Sequence, residues 1–392
     1  MGKNNYQRND DLRKTLKYNP DKRKKTKNNS GLLKIIALIA IIVAISIAVV
    51  NNINNGKKIS QEDVKEYNYF ITTINGKSGV IDKTGKIIIN PEYDYIQIPN
   101  PSKPIFIALF DYNKDTQEYN SKVLNEKGKE ILTSYKNVQA IPNNNTSSTN
   151  SYLTSILKYK QDDKYGIITI DGKTVTKPVY ESIEVLEYKD EVLKVKQNDK
   201  FGLININGDV IIKPEYNSIA TDSYYNQSSK YQKAGYIVNV VTEQGYRYGY
   251  INSQGKQVLD TMFTNVKRIT EVKDDNNTYL ITYKNGQAGI LKNGQTVIEN
   301  EYEDISYDVT NNVLVLQKNA KQGVYDLAGN MILPIQYDNI EILGTLINAT
   351  KDGKLMVFNV SGTVQDENSL KAMYPENNYY ITVDRNGKYG VA

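Results

Sequence analysis

One segment recurs along this chain, and its recurrence limits the possible folds more than any other feature of the sequence. The segments KSGVIDKTGKIIINPEYDYI, KYGIITIDGKTVTKPVYESI and KFGLININGDVIIKPEYNSI begin at residues 77, 164 and 200. Weaker copies follow near residues 122, 249, 289, 323, 356 and 390, so the unit repeats every 33–47 residues. The clearest repeat positions are Gly79, Gly85, Tyr93, Gly166, Gly172, Tyr180, Gly202, Gly208 and Tyr216.

Each unit is typical of short antiparallel strands. Segments such as 79–82 and 86–90 alternate apolar and polar residues and are rich in β-branched side chains. A three-residue turn that ends in the second glycine requires a left-handed backbone there. The first glycine lies within a strand, which indicates that a neighbouring backbone or ring approaches it closely. Pro91, Pro178 and Pro214 are expected to end the second strand of their units.

Units of this kind cannot bury their faces alone, so they must stack. Three or four strands per unit favour a β-propeller, whose blades typically have four strands. The sequence therefore predicts an all-β domain over residues 67–392, a propeller of seven or eight antiparallel blades, with a β-solenoid as the alternative. The final segment NGKYGVA begins one more unit, and we expect it to pair with the first blade and close the ring.

The units resemble the WG-containing repeat family, also called KWG repeats, over about residues 67–392. The shared features are the two glycines, the Ile-Asp and Gly-Lys pairs, and the Pro-x-Tyr ending. The resemblance implies a bacterial repeat module that is often found on surface proteins and has no established enzymatic activity. The family's tryptophan is replaced here by Ser78, Tyr165, Phe201, Tyr248, Ala288, Gln322, Leu355 and Tyr389.

The amino-terminal part has a different composition. Residues 1–30 contain ten basic and three acidic residues and almost no apolar ones, which predicts a disordered cytoplasmic leader. Residues 31–50 (GLLKIIALIAIIVAISIAVV) contain only one charge and, as a helix, are long enough to cross a bilayer. The positive-inside rule then places residues 51–66, a juxtamembrane linker, and the repeats outside the cell. A cleaved signal peptide is the alternative, and it leaves the outside location unchanged.

The composition also excludes common chemistries. The chain contains no cysteine and no histidine, which removes thiolate nucleophiles, Cys-ligated metals and the usual general base. Residues 51–392 carry a slight net negative charge, which argues against nucleic-acid binding. We predict no catalytic residues, no metal site and no cofactor. The loop-like run Asp111–Gln117 lacks the glycine and glutamate of a calcium loop and is predicted to be a hairpin tip.

Two sets of side chains remain as candidates. The acids that follow the repeat tyrosines are suitable for glycoside hydrolysis by residue type, but they recur once per unit, as structural residues do. They are Asp94, Glu181, Glu303 and Asp338. A second set lies in the insertion that lengthens one repeat, and rings on such a loop suit stacking on sugars or peptides. It comprises Tyr224, Tyr225, Tyr231 and Tyr236. Their simpler interpretation is that they cover an enlarged blade edge.

The expected function is non-catalytic binding at the cell surface. The predicted partners are the lipid bilayer, through residues 31–50, and a cell-wall glycan or surface protein, through the repeats. One alternative is a carbohydrate-active hydrolase that uses paired carboxylates. The other is a membrane sensor or scaffold that signals through the basic leader.

Overall fold

The computed structural model of this chain describes residues 58–62, 64–144, 150–187, 191–225, 231–269, 278–365, 381–383 and 389–391. For residues 224–225, 231–232, 381–383 and 389–391 it describes the backbone alone. The predicted leader (1–30), the predicted span (31–50) and residues 51–57 lie outside the described residues. Within the part that is described, no helix is long and apolar enough to cross a membrane. Ile59–Ala392 form one compact unit.

The described residues form strands arranged in nine sheets, which we number in chain order. Sheet 1 contains β1 (Tyr69–Ile74), β2 (Lys77–Asp82) and β3 (Ile87–Tyr93). Sheet 2 contains β4 (Tyr95–Gln97), β5 (Ile105–Asn113), β6 (Glu118–Asn125) and β7 (Glu130–Ile131). Sheet 3 contains β8 (Gln139–Pro142), β9 (Tyr152–Gln161), β10 (Lys164–Thr169) and β11 (Thr174–Tyr180). Sheet 4 contains β12 (Ser182–Glu187), β13 (Val192–Gln197), β14 (Lys200–Asn205) and β15 (Val210–Tyr216).

The later sheets follow the same order along the chain. Sheet 5 contains β16 (Ser218–Tyr225), β17 (Tyr231–Thr242), β18 (Gly245–Asn252) and β19 (Gln257–Phe263). Sheet 6 contains β20 (Asn265–Arg268), β21 (Tyr279–Lys284), β22 (Gln287–Lys292) and β23 (Gln295–Tyr302). Sheet 7 contains β24 (Asp304–Asp308), β25 (Val313–Lys318), β26 (Lys321–Asp326) and β27 (Met331–Tyr337). Sheet 8 contains β28 (Asn339–Leu343), β29 (Leu346–Lys351) and β30 (Lys354–Asn359), and sheet 9 contains β31 (Ile381–Val383) and β32 (Tyr389–Val391).

The architecture is an all-β array of antiparallel sheets, eight of three or four strands and one of two strands among the described residues. Neighbouring strands in each sheet are also neighbours in the sequence, so every sheet is a simple meander. The predicted all-β class and the strands of each unit are therefore confirmed. The final unit start at Tyr389–Val391 pairs with β31 in a separate two-stranded sheet. The predicted pairing with the first blade is not what this strand forms.

Two kinds of turn build each meander. In sheets 1, 3 and 4 the turn before the last strand ends at a left-handed glycine, with φ of +85° at Gly85, +90° at Gly172 and +85° at Gly208, as predicted. The turn between the second and third strands places two successive residues at positive φ, as Asn198 and Asp199 show. Two positive φ values define the type I′ turn, whose twist matches that of the flanking strands. The run Asp111–Gln117 covers the end of β5 and the turn into β6 of sheet 2, so its prediction as a hairpin tip is confirmed.

The first glycine of each unit lies under its own fourth strand. A Cβ at Gly202 would stand 2.6 Å from the carbonyl oxygen of Ile212 and 2.6 Å from the nitrogen of Pro214. The predicted close approach of a backbone is confirmed. The cause is a bulge in β15. Between the pairs Phe201–Tyr216 and Leu203–Ile212, β14 advances by two residues and β15 by four. Pro214 lies within this excess and does not end β15, so the prediction that proline ends the strand is wrong. A bulge tolerates proline because its N–H is not needed in the ladder.

The hydrophobic core is divided into seven clusters, and each joins two consecutive sheets, from sheets 1 and 2 through sheets 7 and 8. Each sheet therefore buries its faces against its neighbours in sequence, as in other repeat arrays. In sheets 1 to 8, the residue two places after the first-glycine position pairs with a residue on the preceding strand. In sheets 2 to 8 that paired residue is hydrophobic and 0–1% exposed. In sheet 1 the same position is Phe70, which is 42% exposed. Sheet 1 therefore has an apolar face that the described residues leave partly open.

Part of the predicted linker packs along the sheets. We call residues 59–62 and 64–68 the strap. The strap contacts sheet 4 at Asn207, sheet 3 at Thr154 and sheet 2 at Pro101. It therefore crosses the end of three consecutive sheets, and the compact unit begins at Ile59 instead of residue 67.

Candidate binding site

The acids that follow the repeat tyrosines make the same structural contact in successive units. Lys164 donates to Glu181 at 2.9 Å, and the same carboxylate accepts from the backbone N–H groups of Asn198 and Asp199 at 2.9 and 3.2 Å. Those two residues form the I′ turn of the next sheet, so the acid ties one unit to the next. Related contacts occur at Lys77–Asp94, Lys321–Asp338 and Glu303–Asn319.

These bonds lower the pKa of Glu181, Glu303 and Asp338. The hydrogen bond from Lys164 is the main cause at Glu181, and the bond from Lys321 is the main cause at Asp338. At Glu303 the leading cause is the backbone N–H of Ala320. A glycosidase acid needs a raised pKa and a second carboxylate nearby. Glu181, Glu303 and Asp338 instead carry lowered pKa values. The four repeat acids lie in different units, so they are not brought together as a pair.

The tyrosine insertion forms the hairpin of β16 and β17. The backbones of Tyr225 and Tyr231 pair across it, and Tyr224 pairs with Gln232. Tyr236 is 0% exposed and belongs to the core cluster between sheets 4 and 5. Tyr236 pairs with Ile251, so it occupies the same position as the buried core residue of the other sheets. The expectation that Tyr236 is an exposed, out-of-register ring is therefore wrong, because the insertion lengthens the hairpin beyond it and leaves its own register intact.

The first strands contain a different candidate, a buried charged residue at a position that is apolar in sheets 3 and 4. Ala140 and Val185 lie opposite the buried core position of the second strand in sheets 3 and 4, and both are buried. In sheet 6 this position is Arg268, opposite Leu280, and it is also buried. Sheets 3 and 4 fill this position with small apolar side chains, so packing of the repeat does not require an arginine.

Arg268 forms a buried network with sheet 5. Its Nε lies 2.8 Å from Oδ2 of Asp222, which also accepts a hydrogen bond of 2.6 Å from the hydroxyl of Tyr250. Burial, followed by the charge of Asp222, raises the pKa of Tyr250, so this hydroxyl stays protonated and remains a donor. The planar guanidinium and the phenol thus hold one carboxylate in a fixed position.

A second buried pair joins sheets 4 and 5. Lys233 lies 3.1 Å from Oε2 of Glu187, and the hydroxyl of Thr221 donates to Oε1 of the same carboxylate at 2.6 Å. The Lys233 ammonium also lies 5.5 Å from the centroid of the Tyr236 ring, within the range of a cation–π contact. The first pair joins sheets 5 and 6 and the second joins sheets 4 and 5, and we call the two pairs together the charged network.

The burial of these charges makes the network a candidate site. The side chains of Arg268, Glu187, Asp222 and Lys233 are 6, 7, 13 and 15% exposed. Removing such charges from water costs several kcal/mol per ion, and apolar residues of similar volume are often as stable or more so. Buried and paired ionisable residues that a fold does not need are enriched at functional sites. Sequence reasoning missed them. Aligning the residue two places after the repeat isoleucine would have shown Arg268 as the charged residue among Ile98, Ala140, Val185, Thr221, Tyr307 and Ile342.

A second polar feature lies between the hairpin turns of sheets 1 and 2. A cleft of about 530 Å³ is lined there by Tyr69, Ile88, Asn68, Asp82, Lys83, Thr84, Lys86, Glu126 and Lys127. Asp82 is held by its own turn, since it accepts from the backbone N–H groups of Thr84 and Lys86. The cleft is open and of mixed charge, so it is a weaker candidate than the buried network.

Several of the units match a known repeat family. The family model for the WG-containing repeat matches the chain at five places, residues 79–100, 165–201, 201–226, 248–271 and 323–342. These five segments are WG-containing repeats. The units at Gly128, Gly289 and Met356 lie outside those matches, yet sheets 2, 6 and 8 have the same meander. The resemblance seen in the sequence is confirmed, and the family suggests a repeat-containing binding module.

Other comparisons add little. No curated protein matches this chain. Among solved structures, it is similar to a eukaryotic initiation factor, with 11% identity, a TM-score of 0.27 and coverage of 79% of this chain and 88% of the other. It is also similar to the dihydro-heme d1 dehydrogenase NirN, with 9% identity, a TM-score of 0.26 and coverage of 79% and 74%. For Hsv2p of Kluyveromyces lactis the values are 11%, 0.22, 53% and 71%. Similarity this low carries no argument about function.

Proposed function

We propose that this chain is a non-catalytic binding module that displays its WG repeats on the outer side of the cell membrane. Residues 31–50 are its single span, residues 1–30 stay in the cytoplasm, and the repeats bind a cell-envelope polymer or a surface protein. The anchoring is supported by the apolar composition of residues 31–50 and by the basic residues that precede them.

The observation that carries the binding role is the buried charged network of Arg268, Asp222, Glu187 and Lys233. It combines fixed donors and acceptors, with Glu187, Asp222 and Arg268 on the first strands of three consecutive sheets. Lys233 lies on the second strand of sheet 5. Polar polymers such as glycans present hydroxyl and amide groups that need both kinds of partner. The repeat acids, which were the candidates for catalysis, instead join the units to one another.

The finer architecture that we propose is a β-propeller. Its support is the division of the core into interfaces between consecutive sheets and the meander order within each sheet. If the sheets close into a ring, another sheet would cover the partly open apolar face of sheet 1 at Phe70. In a propeller the first strands of the blades line the centre, so the charged network would face the axis.

The binding role is tested with the full chain in detergent micelles and cell walls isolated from the source organism. We expect the protein to sediment with the walls. The variants Arg268→Lys and Tyr250→Phe should lower the bound fraction several-fold, because the first loses the planar fork and the second loses the donor to Asp222. Lys256→Met, on an exposed hairpin turn, is the matched surface control and should bind as the wild type does. Circular dichroism checks that each variant is folded.

The outcome also separates the functions. Binding without release of sugar fragments supports the module, whereas steady release of reducing ends would replace it with the hydrolase. Equal binding by all variants would exclude the network as the site. The topology is tested separately by protease treatment of intact cells, which should digest the repeats and spare the leader. Protection of the repeats until the cells are lysed would refute the outside location.

A further inference from the structure

Three tyrosine rings are in contact at one end of sheet 2. The ring centroids of Tyr95 and Tyr119 lie 5.4 Å apart with an interplanar angle of 81°, and those of Tyr112 and Tyr119 lie 4.8 Å apart at 47°. These distances are typical of paired aromatic side chains. Tyr95 and Tyr112 are 56% and 46% exposed, and Tyr119, which contacts both, is partly buried. We call these three residues the tyrosine platform.

Tyr95 is an exception to the repeat. It directly precedes the repeat isoleucine Ile96, at a position that is short and polar in the later units. The corresponding residues are Asn137, Ser182, Ser218, Asn265, Asp304 and Asn339. The fold is therefore satisfied by a small polar side chain here. A ring that is more than half exposed adds little to the core, so packing of the repeat does not account for Tyr95.

The hairpin that carries Tyr112 and Tyr119 is longer than its counterparts. In sheets 1 and 3 to 8, two residues separate the strands of the corresponding hairpin, whereas four residues separate β5 from β6. A bulge precedes the turn, because β5 advances by three residues and β6 by two between the pairs Phe110–Asn120 and Asn113–Glu118. Asp111, within the bulge, has a left-handed φ of +52°. Such a bulge changes the direction of a side chain, here that of the adjacent Tyr112.

Two separate departures from the repeat thus bring aromatic rings to the same place. We propose that the tyrosine platform binds a neutral glycan with equatorial linkages, such as a β-1,4-linked chain. The sugar rings of such a chain expose flat C–H faces that pack on phenol rings, while their hydroxyl groups need polar partners at the rim of the site. The exposed residues Asp111, Asn113 and Asn120 supply such a rim.

The charges beside the tyrosine platform oppose an acidic polymer. Residues 111–118 contain three acids and one lysine, which gives this hairpin a net charge of −2. Like charges that face each other across an interface are unfavourable. Desolvation, followed by the neighbouring Tyr95 and Asp94, raises the pKa of Tyr119, so its hydroxyl stays protonated and can donate to a sugar oxygen. A neutral chain with hydroxyl groups is therefore the ligand that these surroundings suit.

The tyrosine platform lies at the end of sheet 2 that is opposite the strap. The strap contacts Pro101, which precedes β5, whereas the platform lies at the far end of this nine-residue strand, about 30 Å away. The strap leads towards residues 31–50, so in the proposed topology the platform faces away from the bilayer and towards polymers outside the cell. This placement rests on the proposed anchoring, whereas the contacts within the platform do not.

Binding is tested by calorimetric titration of the full chain in detergent micelles with two soluble probes, the hexamers of β-1,4-linked glucose and of β-1,4-linked N-acetylglucosamine. We expect saturable binding of at least one hexamer. Tyr95→Ser, which introduces the serine found at this position in sheets 4 and 5, and Tyr112→Ala should each lower the affinity about ten-fold. Tyr246→Ala is the matched control, because Tyr246 is 59% exposed on the corresponding hairpin of sheet 5. This variant should bind as the wild type does, and circular dichroism checks that each variant is folded.

Each result decides the proposal. Absence of saturable binding by both hexamers would overturn it, and equal affinity of the wild type, Tyr95→Ser and Tyr112→Ala would overturn the site. A proline-rich peptide, which also packs on aromatic rings, is titrated in the same way. If the peptide alone binds and loses affinity in the two platform variants, the site is a peptide site and the glycan is refuted. The charged network is tested separately with whole cell walls and variants of Arg268, so either proposal can fail without the other.

Discussion

Lys164 and Glu181 lie seventeen residues apart and form an ion pair of 2.9 Å, and the same carboxylate accepts two hydrogen bonds from the next unit's turn. The pair thus links the third strand of one sheet with the second turn of the following sheet. In the units that have such an acid, this side chain adds a polar contact to the apolar packing that joins consecutive sheets.

We predict that these acids make the array sensitive to low pH. The folded pKa values of Glu181, Glu303 and Asp338 are lowered, so their contribution to stability is present above the unfolded values, near about 4. It is lost as the pH falls through the lower folded values. The Tm measured by circular dichroism should therefore drop below about pH 4. The triple variant with Gln, Gln and Asn at these positions should show a flatter profile, and parallel profiles would contradict this account.

We predict that Gly202→Ala destabilises the array. The new Cβ would stand 2.6 Å from the carbonyl oxygen of Ile212, so the bulge of β15 must shift. Overpacking of this kind typically costs about 1–3 kcal/mol, measured as the free energy of unfolding in urea. Gly76→Asn is the control, because nothing lies within 4 Å of that position and asparagine tolerates its left-handed φ of +77°. Equal effects of the two changes would show that the close approach is not the cause.

We predict a strong coupling between Arg268 and Asp222. Arg268→Met leaves the Asp222 carboxylate buried beside only the Tyr250 donor, and breaking a buried pair costs about 3–5 kcal/mol. Adding Asp222→Asn removes the uncompensated charge and should recover a large part of that loss. Urea unfolding of the two single variants and the double variant forms a double-mutant cycle. Strictly additive losses would mean that the 2.8 Å contact does not act as a pair.

We predict that Phe70 is covered in the closed ring that we propose. If it is, Phe70→Ala should lower the free energy of unfolding by more than about 2 kcal/mol, as deletion of a core ring does. Leu314→Ala, at the same register in sheet 7 and fully buried, is the reference for a core position. An effect within about 0.5 kcal/mol, typical of exposed sites, would show that the face stays open and would argue against closure.

Much of the fold followed from the repeat alone. The left-handed glycines and the close approach at Gly202 were predictable because each has one physical explanation, a turn without a Cβ penalty and a strand without space for a side chain. The position of Pro214 inside β15 was not, because a bulge depends on the register between two strands. The burial of Tyr236 was also missed, since the added length of its hairpin hid its place in the repeat.

The sequence by itself determined the all-β class, the unit, and the composition that removes thiol and imidazole chemistry. Those properties depend on residues that are close along the chain. Only the tertiary structure brought Arg268 to Asp222 and Lys233 to Glu187, and only it placed Ile59 to Glu62 across three sheets. These contacts join residues up to 148 positions apart, and spacing within a repeat carries no information about which distant units pack together.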